Sequence, residues 1–310
     1  MTSAPIACSP CRPVLHRRAT RVGIWLLTTA IILLLRGNAV LAQTIDEGEP
    51  VGAALAPSVA HALTREEQQT FLRSARILHS GPAPKGVTDS RRVTLSDGVR
   101  THDAHVQTVD ESRSEFRGRT YFELNFRDSW RFNVAAYRLS VLLGLDMVPV
   151  SVERNYRGRA AAFTWWVDDV AMDEARRVKA KVRPPDSGAW SQQLALVRMF
   201  DQLIYNTDRN LGNLLITSEW RLWMIDHTRA FRRHRTLRPG PALRNCDEGV
   251  ILRLEALDKP TLARELSRYL EDDEIRALLV RRDHIIEAFR AARTDGKVGV
   301  VPHVAATPRN

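Results

Sequence analysis

Apolar positions follow strand-like spacing in the first half of the chain and helix-like spacing in the second half. Thr64, followed three residues later by Glu67, forms the pattern of a capping box and predicts a short helix from 65 to about 74. Short β-branched and apolar runs then predict three strands, at 76–80, 92–96 and 99–109. The turn "SDG" joins the last two strands, because Gly98 can adopt the positive φ that a tight hairpin requires.

A longer helix is predicted after these strands, through "DSWRFNVAAYRLSVLLG". Gly144 stands where a glycine commonly follows a helix end. The segments "MVPVSVERNY" and "RAAAFTWWVDD" predict two more strands around a turn at Arg157 and Gly158. After the first short helix, the predicted order up to this point is therefore three strands, one long helix and two strands.

Beyond Pro184 the apolar spacing is helical. Helices are predicted in "SQQLALVRMFDQLIYN" and at 248–257, 260–270 and 273–292. The expected caps of the last two are Asp258 and either Asp272 or Asp273. The fold class is therefore α+β, and we predict a small β-rich lobe at 64–170, a larger helical lobe at 171–295 and a disordered tail at 296–310.

The amino terminus has the three parts of a secretory signal. A basic region is followed by the apolar run "IWLLTTAIILLL" at 24–35 and by the small-residue stretch "NAVLA". We predict a signal peptide at 1–42 that is cleaved after Ala42, then a flexible tether at 43–63. An exported protein, periplasmic or extracellular, is the expectation, and the alternative is a retained membrane anchor. That alternative is less favoured because 12 apolar residues fall short of the roughly 20 that span a bilayer.

The net charge of +10 does not indicate a nucleic-acid partner once the amino terminus is considered separately. Residues 1–42 hold five arginines and no acid, which leaves 41 basic against 36 acidic residues, or +5, in the exported chain. No nucleic-acid-binding motif accompanies this charge. Cys8 and Cys11 also lie in the removable segment, so that Cys246 remains alone and no internal disulfide is expected.

One segment, "YNTDRNLGNLLITSEWRLWMIDHTRAF" at 205–231, combines acids and amides with two short apolar runs. The runs "LLIT" and "RLWMI" predict a hairpin that has Asp208 and Asn213 in the loop before it and Asp226 at its end. Such oxygen ligands suit Mg²⁺, which takes few protein ligands and completes its shell with phosphate oxygens. We predict Asn213 and Asp226 as metal ligands and Asp208 as the catalytic group that orients or deprotonates a hydroxyl. The alternative is that all three are ordinary turn and cap residues.

The spacing of these residues agrees with a known catalytic pattern. In the protein-kinase motif H-R-D-L-x-x-x-N the metal-binding Asn follows the catalytic Asp by five residues, as Asn213 follows Asp208. Asp226, 13 residues further on, takes the place of the Asp in the D-F-G element. Together "NTDRNLGNLLI" and "MIDHTRAF" resemble the corresponding segments of type II phosphatidylinositol 4-kinases and, more loosely, of HipA-type kinases. Asn206 and Arg209 match that pattern and are expected to support the site.

The resemblance covers roughly residues 76–290 and implies a two-lobed protein-kinase-like fold. It implies ATP as cosubstrate, Mg²⁺ or Mn²⁺ as the metal, and transfer of a phosphoryl group to an unknown protein, lipid or small-molecule acceptor. Two positions depart from the family. Gln107 stands where the family has a Lys and Asn133 where it has a Glu, and those two charges normally position the nucleotide's phosphates.

The simultaneous loss of both charges leaves neither one buried without a partner. Gln107 and Asn133 either form a neutral, hydrogen-bonded substitute or the strand register is shifted. The missing cation could come from the turn "PKGVTDSRR", at Lys85, Arg91 or Arg92. With Lys85 and Gly86 this turn is predicted to contact the nucleotide's phosphates, and the alternative is an ordinary surface hairpin.

Asp168 and Asp169 follow "WW" at the place of the hinge between the lobes, and we predict that they contact the nucleotide. His102 and His105 lie three apart on a predicted strand, so they face opposite sides and no metal site is expected there. His227 replaces the phenylalanine of D-F-G and is expected to pack or to hydrogen-bond rather than to act as a base.

The basic run after the hairpin offers Arg229, Arg232, Arg233 and Arg235 to an anionic surface, with an ordinary solvated face as the alternative. Two functions therefore remain open. The first is an exported kinase-like phosphotransferase. The second is a catalytically impaired pseudokinase that serves as a binding module outside the cytoplasm.

Overall fold

The computed structural model describes residues 62–83, 90–117, 122–240, 243 and 247–294. The chain divides after Ser58, and every described residue belongs to the second unit, Val59–Asn310. Within the described ranges, no helix combines the length and the apolar character that crossing a membrane requires. The predicted signal peptide at 1–42 and most of the predicted tether lie outside the described residues.

The amino-terminal lobe is an antiparallel sheet of five strands with two helices packed on it. The sheet order is β1-β2-β3-β7-β6. Its strands are β1 (Arg76–Pro82), β2 (Arg91–Ser96), β3 (Thr101–Gln107), β6 (Ser151–Tyr156) and β7 (Arg159–Trp165), and its helices are α1 (Arg65–Ser74) and α2 (Arg131–Leu142). Both helices contact β6 and β7. The predicted strands and helices of this lobe are all present, with ends that differ by a few residues.

Three local predictions about turns and caps are confirmed here. Thr64 and Glu67 form the reciprocal capping box at the start of α1. Gly98 has φ 95° in the turn between β2 and β3, and Gly144 has φ 65° just beyond α2. A side chain would be strained at both positions, which explains why each of them is a glycine.

A two-stranded hairpin between β3 and α2 was not predicted. It consists of β4 (Asp110–Arg117) and β5 (Phe122–Ser129), which pair antiparallel. Most of its residues are exposed, so the strands carry no apolar face that a sequence pattern could reveal. The carboxyl end of β5 is the exception, because Asp128 and Ser129 are buried where the hairpin joins the body of the protein.

The carboxy-terminal lobe is mainly helical, as predicted. It contains β8 (Val170–Asp173), α3 (Glu174–Lys179), α4 (Ser187–Leu203), a 3₁₀ turn (Leu211–Asn213), β9 (Leu214–Thr217), β10 (Leu222–Met224), α5 (Glu248–Ala256), α6 (Lys259–Leu266) and α7 (Asp272–Thr294). The predicted hairpin is β9–β10, and β8 adds a third strand beside β9. The sequence patterns did not indicate β8 or α3.

The predicted caps of the last two helices have different outcomes. Asp258 caps α6, since its side chain accepts a hydrogen bond from the amide of Thr261. Asp272 and Asp273 are both within the first turn of α7, so neither is its cap. One continuous apolar core extends from the sheet through α2 into the helices of the second lobe. The observed fold is thus the predicted α+β arrangement of a β-rich lobe followed by a helical one.

Candidate active site

The loop between α4 and β9 is built around a buried ion pair. Asp201, near the end of α4, accepts a hydrogen bond from Nε of Arg209 at 2.9 Å. The same guanidinium donates through Nη1 to the carbonyl oxygens of Asn213 (3.1 Å) and Ile225 (2.7 Å). One arginine therefore fixes the two backbone positions that carry or precede the predicted metal ligands. The supporting role expected for Arg209 in catalysis stays a prediction.

Asn206 holds the turn that leads into Asp208. Its side chain is fully buried, and its Nδ2 donates to Asp201 at 3.1 Å. Its Oδ1 accepts a hydrogen bond from the amide of Asp208, also at 3.1 Å. Because the asparagine is itself anchored, the position of Asp208 is set by the buried side of the loop.

The side chain of Asp208 reaches the surface of the site and is about half exposed, at 47%. Burial raises the pKa of its carboxyl group above the usual value, while the guanidinium of Arg229 opposes the shift. The negative charges of Asp226 and Asp128 raise the pKa further. A carboxylate whose pKa is moved toward neutrality is better suited to accept a proton from a hydroxyl group.

Asn213 and Asp226 are linked through their backbones. Asn213 ends the 3₁₀ turn, and its carbonyl oxygen accepts a hydrogen bond from the amide of Ile225 at 3.0 Å. Asp226 has φ 57°, an uncommon conformation for a residue other than glycine, and lies just beyond β10. Such strained positions cluster at functional sites. The structure thus brings the loop and the hairpin end to one place, as the sequence predicted.

The side chains of these two residues fit a divalent metal ion. The amide nitrogen of Asn213 is buried and has no hydrogen-bond partner among the described residues. The Asp226 carboxylate is exposed and accepts a hydrogen bond from the Thr228 hydroxyl at 3.2 Å. No ion pair to Asp226 occurs within the described part of the chain. The Asp226 carboxylate and the side-chain oxygen of Asn213 are of the oxygen type that Mg²⁺ binds, whereas the unpartnered nitrogen of Asn213 is a donor and would not bind the ion.

The two residues at the predicted Lys and Glu positions do not bond to each other. Gln107 is buried, and its Oε1 accepts hydrogen bonds from the amides of Thr108 (3.0 Å) and Val109 (3.2 Å). Asn133 is also buried, and its Oδ1 accepts from the amide of His227 at 2.8 Å. The neutral, hydrogen-bonded pair that was one of the two alternatives is therefore not formed by these oxygens.

Asn133 nevertheless occupies a meaningful position. By its bond to His227 it connects α2 to the segment that follows Asp226. Just before α2, the amide of Ser129 donates to the carbonyl of Thr228 at 2.9 Å. The first lobe is therefore hydrogen-bonded to the segment after Asp226 at two successive residues, His227 and Thr228.

The other predicted nucleotide contacts have mixed outcomes. Lys85 and Gly86 lie outside the described residues. Arg92 is engaged elsewhere, because it pairs with Asp103 and lies 4.4 Å from the ring centre of Trp166. Asp168, in the connection between the lobes, lies 3.0 Å from Nε2 of His102.

Asp169 has φ 56°, and its carbonyl oxygen accepts a hydrogen bond from the amide of Ser218. None of these contacts tests whether Asp168 and Asp169 meet a nucleotide, so that role stays a prediction.

His105, on β3, is a residue that the sequence reasoning set aside. Burial lowers its pKa, and the negative charge of Asp226 opposes that shift. It stands two residues before Gln107 and therefore on the same face of the strand. The signal that could have found it is this two-residue spacing from the predicted Lys position.

His227 is buried, as expected for a packing or hydrogen-bonding residue. Burial lowers its pKa well below the usual range, and the charge of Arg209 lowers it further. The ring lies edge-on to Phe200, with 6.1 Å between the ring centres. A histidine held neutral in this way does not supply the charge that the missing lysine would have brought.

The predicted anionic contact through the basic run stays a prediction, but the structure shows that one of its four arginines, Arg232, is not available for it. Arg232 is buried, and its Nε lies 2.6 Å from the Glu123 carboxylate, so it cannot present its charge to an external surface. Arg233 pairs with Glu271. Arg229 points into the site, and Arg235 is exposed. The run is therefore mostly consumed by contacts within the protein.

Solved structures with the same fold as this chain include two that are kinases or kinase relatives by name. A hydra Fam20 protein solved with a sugar matches with a TM-score of 0.59 and 15% identity, over 77% of this chain and 93% of that chain. A Golgi casein kinase solved with Mn and ADP matches with a TM-score of 0.54 and 13% identity, over 76% of this chain and 78% of that chain. No protein-family model matches the sequence, and no curated protein matches it.

These matches show that the fold is kinase-like, a β-rich lobe followed by a helical lobe. At such low identity the likeness extends to the fold alone. The narrower resemblance to type II phosphatidylinositol 4-kinases and HipA-type kinases stays a prediction. Within this fold, the loop carrying Asp208 and Asn213 and the hairpin end at Asp226 form the candidate active site.

Proposed function

We propose that this protein is a metal-dependent, kinase-like phosphotransferase that moves the γ-phosphoryl group of a nucleotide to a hydroxyl group. The observation that carries the proposal is the single guanidinium of Arg209, which fixes the backbone of Asn213 and of the residue before Asp226. Two oxygen ligands and a carboxylate with a raised pKa are thereby presented together. A nucleotide's phosphates and a bound metal need such a cluster.

The residues divide the work as follows. Asp226 and Asn213 would hold Mg²⁺ or Mn²⁺, which supplies charge neutralisation at the phosphate oxygens of bound ATP. The acceptor's hydroxyl oxygen forms a bond to the γ-phosphorus, and the bond to the bridging oxygen breaks as the nucleoside diphosphate leaves. Asp208 accepts the hydroxyl proton. Arg209 and Asn206 keep the loop in the required shape.

Export belongs to the same proposal. The signal at 1–42, cleaved after Ala42, would deliver a chain with the tether at 43–63, the lobes at 64–170 and 171–295, and a tail at 296–310. The kinase-like fold occurs in a kinase named for the Golgi, which is consistent with work outside the cytoplasm. Amino-terminal sequencing of the exported product should begin at Gln43, and an intact amino terminus would favour the membrane anchor.

A second function, a pseudokinase binding module, has its own supporting observation. Gln107 and Asn133 are both buried and both satisfied by backbone amides, so neither supplies the charges that usually anchor nucleotide phosphates. Such a module would bind a nucleotide or a partner without turnover. Asp208 would then have no catalytic task, which the intact hydrogen bonding around Asp208 does not favour.

The deciding experiment uses the full chain, expressed with its own amino terminus and purified after export. ATP or GTP is offered with Mg²⁺ or Mn²⁺, and hydrolysis, autophosphorylation and nucleotide-dependent thermal shift are measured. Turnover that Asp226→Ala removes and Asp283→Ala, an exposed acid on α7, preserves would establish the phosphotransferase. Nucleotide binding without turnover would favour the module, and no response to any nucleotide and metal would reject both the phosphotransferase and a module that binds a nucleotide.

A further inference from the structure

Arg229 forms a bridge between two carboxylates at the mouth of the active site. Its Nε lies 3.1 Å from Oδ2 of Asp128, and its Nη1 lies 3.7 Å from Oδ2 of Asp208. Asp128 is buried at the end of β5, whereas Asp208 is about half exposed in the catalytic loop. The arginine thus joins the hairpin of the first lobe to the predicted base.

The place of Arg229 is fixed independently of Asp208. Its carbonyl oxygen accepts hydrogen bonds from both the amide (3.2 Å) and the hydroxyl (3.0 Å) of Thr207, which immediately precedes Asp208. Its guanidinium lies 5.3 Å from the ring centre of Phe126 on β5. A backbone tie and an aromatic face therefore hold the side chain where both carboxylates meet it.

The two contacts are unequal, and the inequality has a chemical meaning. The contact with Asp128 has hydrogen-bond length, but 3.7 Å to Asp208 is longer than a hydrogen bond. The guanidinium therefore lies closer to Asp128 than to Asp208. Its positive charge acts on the Asp208 carboxylate without forming a hydrogen bond to it, so that the carboxylate oxygens stay available for a hydroxyl proton.

We propose that Arg229, anchored by Asp128, is a positioning residue that places a positive charge beside the Asp208 carboxylate while leaving the carboxylate oxygens open to the acceptor's hydroxyl. The inference rests on the proposed function, because it assigns a task only if Asp208 is the base. It gives Asp128 and Arg229 roles that neither the basic run nor the hairpin suggested. Arg229 acts through Asp208 and is not required to touch the acceptor.

The electrostatics of the site support this division of roles. Burial raises the pKa of Asp208, and the charges of Arg229 and Arg209 lower it, while Asp226 and Asp128 raise it. Arg229 and Asp128 therefore act on Asp208 in opposite directions. Removing the cation or the anion is therefore expected to shift the titration of Asp208 in opposite directions.

The test follows the titration of Asp208 directly. Aspartate in the full chain is labelled with ¹³C at the carboxyl carbon, and the Asp208 signal is assigned with Asp208→Asn. We expect Arg229→Gln to raise the pKa of Asp208 and Asp128→Asn to lower it, with Arg229→Lys close to the wild type. Arg276→Gln on α7, which likewise removes an arginine set between two aspartates, should leave the titration unchanged.

Turnover gives the second readout. Since Asp208 works as the ionised base, Arg229→Gln should move the acid limb of the pH–rate profile to higher pH and lower kcat roughly 10- to 100-fold, while KM for nucleotide changes little. Asp128→Asn should move that limb to lower pH. Arg229→Lys should recover part of the lost kcat.

The outcomes separate this inference from the proposed function. If the wild type shows no turnover while Asp208 titrates as expected, the proposed function fails and the electrostatic pairing stands. If the wild type is active and Arg229→Gln leaves the Asp208 titration unchanged, the inference is overturned. It is also overturned if both variants shift the titration in the same direction, or if Arg229→Gln increases turnover, because the arginine would then be an inhibitory contact.

Discussion

The catalytic half of the site and the nucleotide-anchoring half are built in different ways. In the predicted catalytic half, a buried ion pair between Asp201 and Arg209 fixes the loop, and among the described residues no ion pair engages Asp226, a predicted metal ligand. In the predicted nucleotide-anchoring half, the side-chain oxygens of Gln107 and Asn133 accept hydrogen bonds from backbone amides. The first half leaves side-chain oxygens open to a ligand, whereas the side-chain oxygens of the second half are already hydrogen-bonded within the protein.

The difference shows that a kinase-like fold keeps its two halves by separate means. Asn133, at the predicted Glu position, ties α2 to the segment after Asp226 through a neutral hydrogen bond. If the protein transfers phosphate, its nucleotide must be anchored by other residues.

The largest expected effect lies in the catalytic half. Asp226→Ala should lower turnover by at least about 100-fold, because loss of a metal ligand removes several kcal/mol of charge stabilisation at the phosphates. The melting temperature without metal should change little, since the carboxylate is exposed. A thermal-shift titration with Mn²⁺ measures the binding loss, and an unchanged metal-dependent shift would show that the ion binds elsewhere.

The next largest effect concerns the frame of the same half. Asp201→Asn leaves the buried guanidinium of Arg209 without its counter-charge and should cost about 3 kcal/mol of unfolding free energy. Urea denaturation measures this cost. The control is Glu265→Gln, which breaks a partly exposed pair with Arg138 and should cost less than about 1 kcal/mol. Similar values for the two variants would contradict a structural role for the buried pair.

A smaller effect is expected where the two halves meet. Asn133→Ala leaves the buried amide of His227 without an acceptor and should cost about 2 kcal/mol. Asn155→Ala removes an acceptor from the exposed turn amide of Gly158, where water can replace it, and should cost less than about 1 kcal/mol. Chemical denaturation of both variants tests the comparison, and equal losses would mean that the bond to His227 is not protected from water.

The smallest effect belongs to the anchoring half. Gln107→Leu removes the acceptor for the amides of Thr108 and Val109 and should cost about 1 kcal/mol. The dissociation constant for nucleotide should stay within about twofold of the wild type, because the side-chain oxygen is turned onto its own chain. Isothermal titration calorimetry measures it. A tenfold weakening would mean that Gln107 contacts the nucleotide after all and that the two halves are less different than they look.

The segment at 205–231 could be predicted because its information is local. The spacing of Asp208, Asn213 and Asp226 sits within one short loop and hairpin, where turn chemistry and apolar runs decide the structure. The fold class was predictable for the same reason, since helices and strands of both lobes follow from the periodicity of apolar residues. The kinase-like matches agree with that class.

The partners of these residues could not be predicted, because they are distant in sequence. Arg229 meets Asp128 across 101 positions, and Asn133 meets His227 across 94. No local pattern announces such pairings. The hairpin that carries Asp128 was also invisible, because its strands are largely exposed and lack an apolar face. Its importance arises at its base, where it becomes buried.

The two hydrogen bonds from Ser129 and Asn133 to the segment after Asp226 have a consequence for how the molecule comes apart. Both cross from one lobe to the other at the segment that follows the predicted metal ligand Asp226, within an apolar core shared by the two lobes. Neither lobe can unfold before the other without breaking these hydrogen bonds at the candidate site. We therefore expect a single cooperative unfolding transition, in which the amides of His227 and Ser129 exchange with solvent only at the free energy of global unfolding.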